Sequence, residues 1–272
     1  MRHPLQDNGL RGRTALITGA GRGIGRGAAV GAACRGARVI IVDITGDELE
    51  VTLRLVRETG AEARPIRADL AQREEIDRTL REAAEVWGPP DVLINNAAVL
   101  VFKSFEETDP AVWDETIRVN LEAPYYLTWR VYHGMLGRGR GNIVTMSSTA
   151  GVRPYALETA YCASKYALEG LFRSLALEAT SRGVIVTLGT PVRTTKPTSM
   201  TDASFAALPP EEQSRFASPL VFAEAFGYLA GTDDPGLSGR RFDLFALSEL
   251  IREQGLAVPG WLALQRAERN HP

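Results

Sequence analysis

The chain is poor in the residues that build metal and disulfide sites. Its 272 residues include two cysteines, Cys34 and Cys162, and three histidines, His3, His133 and His271. No CxxC pair or Cys/His cluster occurs, so neither a zinc site nor a disulfide framework is expected, and the compartment reads as reducing. Charge of one sign is lacking too: 31 Lys+Arg against 33 Asp+Glu leaves a formal net charge of -2. That balance offers no footprint for nucleic acid or an anionic membrane and favours small neutral or mildly polar partners. Long hydrophobic runs are missing. Ala15 to Ala20 is far too short for a membrane span or signal core, and Met1 to Gly12 is polar, so a soluble cytoplasmic protein is expected. Repeats, low-complexity tracts and a Pro/Gly/Ser linker are also absent. With 44% hydrophobic residues, a chain of this length is expected to bury one core, as a single domain over 1–272.

What is present is a rhythm. Short apolar runs, several rich in Val and Ile, recur at Thr14 to Thr18, Arg38 to Val42, Arg64 to Ala68, Val92 to Ile94, Ile143 to Met146, Val184 to Leu188 and Arg241 to Phe245. Between them lie segments of helical period: Ile24 to Arg35, Asp47 to Glu58, Gln72 to Val86, Val112 to Leu136, Ala160 to Thr180 and Leu220 to Ala230. Strand alternating with helix predicts right-handed crossovers and a parallel sheet covered on both faces, a doubly wound three-layer α/β domain of the Rossmann type. The rhythm breaks at a variable loop over about 192–218, a candidate lid. It also breaks at a C-terminal extension, about 246–272, expected to pack on the domain or on a neighbouring subunit, or to fray.

Within this frame, Thr18-Gly19-Ala20-Gly21-Arg22-Gly23-Ile24-Gly25 follows the first strand and opens the first helix. Glycines there let backbone N–H groups approach a pyrophosphate at the positive end of the helix. The pattern is TGxxxGxG. Asp43, at the end of the second strand, is placed to accept hydrogen bonds from an adenosine ribose, and its charge repels a 2′-phosphate. NAD is therefore expected over NADP, although Arg22 argues the other way. Asp69 is expected beside the adenine with Leu70, or as a helix cap.

Tyr161-Cys162-Ala163-Ser164-Lys165 sets a phenol and an ammonium four residues apart on one helical face. At that spacing the Lys165 charge is expected to lower a phenol pKa that is ordinarily about 10. Alone, such a pair is more often a packed ring beside a solvated charge. Its company includes Ser148, thirteen residues before the Tyr, and Asn95-Asn96-Ala97-Ala98 at the end of the fourth strand. Asn95 reads as structural, Asn96 to Ala98 as cofactor-adjacent, and Ser147 as a strand-end residue turned away. Pro124 lacks an N–H, so the carbonyl of Asn120 loses its i+4 partner and the helix is expected to kink there.

With TGxxxGxG, Asn95-Asn96-Ala97-Ala98, Asn120, Ser148, Tyr161 and Lys165 in this order, the chain resembles the short-chain dehydrogenase/reductase family in its compact single-domain branch, from about Arg11 to Phe245. The resemblance implies hydride transfer between the nicotinamide of NAD and an alcohol/ketone carbon. Tyr161 would be the acid/base, aided by Lys165; Ser148 would hold the substrate oxygen, and Lys165 would also bind the nicotinamide ribose. Asn120 would hold a water that reaches Lys165. Cofactor contacts would fall to Gly19, Gly21, Arg22, Gly23, Ile24, Gly25, Asp43, Asp69, Leu70, Asn96, Ala97, Ala98 and Pro191. A homotetramer or dimer built on the helices carrying Asn120 and Tyr161 is implied as well. Other readings are an NAD-binding scaffold without turnover and an isomerase or dehydratase using transient oxidation.

The chain departs from the family after the sixth strand, where Val192 occupies the usual Gly place. Val cannot take positive φ cheaply, so the loop is expected to follow another path, and contacts at Val192 and Thr194 do not carry over. The seventh strand lacks the usual Asp-Gly-Gly ending. Arg193 and Lys196 are solvated, touch cofactor phosphates or bind an acidic substrate. Cys162 is expected to be packed, and Trp113, Tyr125, Tyr126 and Trp129 to make core or subunit contacts.

Overall fold

Runs of Val, Ile and Leu without polar alternation need cover on both faces, and they form the middle of a parallel sheet. A computed structural model describes residues 9–192, 195, 200 and 202–254. Its strands are β1 (Thr14–Thr18), β2 (Arg38–Asp43), β3 (Ala63–Arg67), β4 (Val92–Asn95), β5 (Gly141–Met146), β6 (Val184–Thr190) and β7 (Arg241–Asp243). They pair in parallel in the order β3-β2-β1-β4-β5-β6-β7. The order reverses between β1 and β4, which places a ligand crevice at the carboxyl ends of those strands.

The helices are α1 (Gly23–Cys34), α2 (Gly46–Glu58), α3 (Arg73–Trp87), α4 (Pro110–Ile117), α5 (Ala123–Arg138), α6 (Thr159–Ala179), α7 (Asp202–Ala206), α8 (Pro210–Gln213), α9 (Ala223–Gly231) and α10 (Leu244–Gln254). Successive strand residues feed opposite cores. Ile17, Ile41, Ile94 and Val144 pack with α1, α2, α9 and α10. Leu16, Ile40, Leu93 and Ile143 pack with α3, α5 and α6. Small residues set how closely α1 can approach its neighbour: a Cβ on Gly31 would lie 2.1 Å from the carbonyl oxygen of Ala223. Gly31→Ala is expected to cost roughly 1–3 kcal/mol through overpacking, measured as a lower denaturant midpoint at unchanged slope.

Three boundaries differ from the sequence expectation. The segment Val112 to Leu136 is not one helix: a π turn at Arg118–Glu122 separates α4 from α5, and the N–H of Ala123 bonds the carbonyl of Arg118. Pro124 removes an N–H from the ladder, so the expected kink takes the form of i→i+5 bonding. The seventh strand stops at Asp243 instead of Phe245. The Asp243 Oδ1 accepts the N–H groups of Phe245 and Ala246 at 2.9 and 3.1 Å, capping α10. The extension therefore begins as a docked helix, with Leu247, Leu250 and Ile251 buried, while 255–272 lie outside the described residues. Leu220 to Ala230 likewise opens as a 3-10 turn, Pro219–Phe222, before α9. Within the variable loop, α7 and α8 are short helices; residues 193–194, 196–199 and 201 are outside the described set.

Candidate active site

The crevice is built from four strand ends. After β1 the chain turns through Gly19 (φ +60) and Gly23 (φ +52) into α1. A Cβ on Gly19 would lie 2.8 Å from Ala97 Cα, whereas one on Gly23 would meet nothing within 4 Å. The turn is thus closed toward β4 and open toward solvent, with half-buried Arg22 as the residue before α1. Asn96 holds it from below: its Nδ2 donates to the carbonyls of Thr18 and Gly19 at 2.9 and 3.0 Å. Thr18 Oγ1 accepts the N–H groups of Asn96 and Ala97. Ala97 and Ala98 are half-buried in the segment that follows β4. Asn95, buried, bonds Thr128 and Thr145 and is structural as expected.

Arg26 was not singled out by the sequence. Its Nη2 donates to the Gly21 carbonyl at 2.6 Å and pairs with Glu48 at 2.8 Å, and Thr52 Oγ1 donates to the same carbonyl. These partners lie more than twenty residues away on α2, so no local pattern betrays them. Asp43 ends β2 against the turn: one carboxylate oxygen accepts the Gly21 N–H at 2.9 Å, the other the Thr45 N–H at 3.1 Å. Beyond it a cavity of about 400 Å³ is lined by Ile44, Arg67, Ala68, Asp69 and Glu75. Asp69 lines this cavity and also accepts the Ala71 N–H in a cap-like turn. Leu70 does not line this cavity; it is buried in the core beneath α3, because an apolar side chain there gains more from burial than from an open cleft. An open glycine turn, a helix N-terminus, a carboxylate at the end of β2 and a hollow beyond it, in series, fit an extended dinucleotide.

The candidate proton-transfer residues gather near the end of β5. Ser148 caps a 3-10 turn (Thr149–Gly151), accepting the Ala150 N–H at 3.1 Å, and lies close enough to Tyr161, in the first turns of α6, to influence its phenol. Ser147 turns away, to Glu169. Lys165 is buried, its Nζ 2.8 Å from the Met146 carbonyl and 5.5 Å from the centre of the Tyr161 ring. Asn120, fully buried in the π turn, accepts the Val99 N–H and donates to the Val99 carbonyl, both at 2.8 Å, and donates to Ser164 at 3.2 Å. Ser164 in turn bonds the Tyr161 carbonyl. Asn120 therefore ties the strand-four loop to the helix bearing Tyr161.

The expected lowering of the Tyr161 pKa is not found. Burial is the largest influence and pushes the phenol above its ordinary value; the hydrogen bond from Ser148 pulls it down, and Glu158 and Cys162 push it up. The ammonium that was to acidify it is directed at the Met146 carbonyl. Burial also lowers Lys165 to about 8, against a smaller upward pull from Glu169. The phenol therefore carries its proton near neutrality, and burial makes it a weaker acid than a solvated tyrosine.

Pro191 is half-buried after β6 and Val192 is exposed, with no positive φ. Arg193, Thr194 and Lys196 lie outside the described residues, as do His3 and His271. Cys162 is packed as expected. Trp113, Tyr125 and Trp129 are exposed and are not core residues, whereas Tyr126 is half-buried, its hydroxyl donating to Asp77. Among the described residues no group of three His, Cys, Asp or Glu side chains is placed to hold a metal, and no helix is long and apolar enough to cross a membrane.

Sheet order, glycine turn and the Ser148/Tyr161/Lys165 cluster together define a dinucleotide-dependent oxidoreductase. The profile of the family described as "short chain dehydrogenase" matches residues 13–208. An uncharacterized oxidoreductase of Thermotoga maritima is 38% identical over 177 residues, 65% of this chain and 70% of that protein. L-xylulose reductase of Mus musculus is 41% identical over 174 residues, 63% of this chain and 68% of that protein. The crystal structure of a metagenomic short-chain oxidoreductase in complex with NADP superposes with a TM-score of 0.73 at 31% identity, covering 86% of this chain and 97% of that one. The chain belongs to the short-chain dehydrogenase/reductase family. It is an oxidoreductase that exchanges hydride between a nicotinamide cofactor and an alcohol or ketone.

Proposed function

We propose that this chain is an NAD-dependent alcohol dehydrogenase/carbonyl reductase in which Tyr161 is the acid/base, and the observation that carries the reading is the buried Lys165 ammonium 5.5 Å from the centre of the Tyr161 ring, at the strand end that presents Ser148. Bound across the turn, the dinucleotide supplies the hydride donor or acceptor. Gly19, Gly21, Arg22, Gly23, Ile24 and Gly25 would hold its phosphates, Asp43 its ribose, Asp69 its adenine, and Asn96, Ala97, Ala98 and Pro191 would border it. Ser148 Oγ binds the substrate oxygen; Tyr161 Oη gives that oxygen its proton as a carbonyl becomes a hydroxyl, and takes it back in the reverse direction. Lys165 stabilises the phenolate left behind and is placed to bind ribose. Asn120 keeps Tyr161 in position, and its backbone carbonyl in the π turn is the candidate anchor for a proton-relay water.

The preference for NAD rests on Asp43. Its carboxylate is pinned at the glycine turn by two N–H groups, where a 2′-phosphate would meet like charge, a juxtaposition that costs several kcal/mol. The NADP named for the metagenomic relative is that protein's ligand, and half-buried Arg22 is the feature here that favours it. A panel of L-xylulose, cyclohexanone and acetophenone with reduced NAD and reduced NADP tests both points. Wild type is expected to use NAD at least about tenfold better in kcat/KM, the effect of roughly 1.4 kcal/mol, and Asp43→Ala to erase the ratio. A preference for NADP in the wild type would refute the assignment.

Two free thiols among the described residues fit a reducing, cytoplasmic setting. Exposed Tyr125, Trp129, Tyr166 and Leu177 on α5 and α6 support a homo-oligomer, a tetramer or dimer. Light scattering should return a multiple of the 29.6 kDa chain mass; a monomer at high concentration would contradict this.

A further inference from the structure

A buried ion pair lies directly beneath the reacting groups. Arg241 opens β7 with its side chain 6% exposed, and Glu169 lies on α6 with its side chain 8% exposed. Glu169 is one turn beyond Lys165, on the same helical face. Glu169 Oε1 accepts from Ser147 Oγ at 2.5 Å and faces Arg241 Nε at 3.2 Å, while Oε2 faces half-exposed Arg173 at 3.1 Å. The Arg241 guanidinium spreads further: Nε donates to Thr190 Oγ1 at the end of β6 (2.9 Å), and Nη2 donates to the Ser148 carbonyl (3.2 Å). One fork therefore joins β6, β7, α6 and the turn that follows β5 at Ser148.

We propose that Arg241 and Glu169 form a positioning pair that fixes the Ser147–Ser148 backbone, and with it the Ser148 hydroxyl, in register with Tyr161 and Lys165. Stability alone does not explain such a pair, because desolvation offsets most of the attraction between buried charges and an apolar pair of similar volume often does as well. Geometry does. A planar guanidinium reaches three acceptors on separate elements in one fixed orientation, which a lysine ammonium on a flexible stem does not. The packing leaves little alternative: a Cβ on Gly151 would come within 2.8 Å of Ser147 Oγ and 3.1 Å of Glu169 Cγ, so the Ser147–Gly151 turn sits tightly on the pair. Ser148 depends on this scaffold because its own backbone is extended and its carbonyl is otherwise bonded by the Gly151 N–H.

This inference rests on Ser148, Tyr161 and Lys165 being the reacting residues, and Tyr161→Phe is the control for that reading. The full-length protein is assayed with reduced NAD and the ketone turned over fastest in the panel. Three variants are compared with it: Arg241→Lys, the double variant Glu169→Gln/Arg241→Met, and Tyr161→Phe. Arg241→Lys and the double variant are expected to lower kcat by roughly 10- to 100-fold, the effect of a reacting group displaced by about an ångström, while cofactor Kd, read by fluorescence quenching, stays at the parent value. The double variant removes both charges together, so its melting temperature should remain near that of the parent. Parental kcat in a folded double variant, or in Arg241→Lys should the double variant not fold, would overturn the proposal. So would a loss of kcat accompanied by an equal loss of cofactor affinity. Turnover surviving in Tyr161→Phe would instead sink the reading of the site and leave the geometry of the pair untouched.

Discussion

Tyr161→Phe should lower turnover by ~10²–10⁴-fold, the range supplied by a positioned acid/base, while leaving cofactor affinity and stability close to wild type. The phenyl ring keeps the packing position 5.5 Å from Lys165 Nζ, and Ser148 Oγ still accepts the Ala150 N–H, so only the transferable proton is removed. Burial holds the wild-type phenol above its ordinary pKa, so the proton that the substitution removes is present at neutral pH. Steady-state kinetics paired with a cofactor titration separates this from a folding defect: kcat falls and Kd does not.

The second large effect is expected at the glycine turn. A Cβ on Gly25 would sit 2.1 Å from the Gly19 carbonyl oxygen and 2.5 Å from Asn96 Nδ2. The carbonyl belongs to the turn itself, and the Asn96 amide is held in place by its bonds to the Thr18 and Gly19 carbonyls. Gly25→Ala must therefore push the turn away from β4. Overpacking of this kind costs about 1–3 kcal/mol, and expressed in cofactor binding it is a loss of roughly 10- to 100-fold. Gly46→Ala is the control, since a Cβ there meets nothing within 4 Å. Equal cofactor affinity in Gly25→Ala and Gly46→Ala, measured by calorimetry, would rule out this role for the turn.

The fold was legible because strands buried on both faces read as continuous apolar runs: Thr14–Thr18 has the same limits in the sequence and in the structure. Arg241 to Phe245 misled because its alternation imitates a strand, whereas the Asp243 carboxylate caps a helix that the alternation does not announce. Pro124 announced a disruption at Asn120 but not its π form, since the missing N–H says which bond is lost and not which replaces it. At the site, Ser148, Tyr161 and Lys165 could be placed by spacing, and the structure brings them together. Their electrostatics could not, because helical spacing reveals neither burial nor the Met146 carbonyl that takes the lysine ammonium. Arg26 and the Glu169–Arg241 pair were invisible for a related reason: each acts through partners distant in the chain.

The pH dependence of carbonyl reduction, measured as kcat/KM in wild type and Tyr161→Phe, tests the account most directly. Lys165, lowered to about 8, carries its charge below that pH and loses it above. In wild type kcat/KM should therefore be level near neutrality and fall as pH rises through about 8, the free-enzyme value that this parameter reports. Tyr161→Phe should be slower by ~10²–10⁴-fold throughout the pH range. Reduced cofactor consumed by Tyr161→Phe at a rate comparable to wild type, with the same pH profile, would contradict the assignment of Tyr161 as the proton donor.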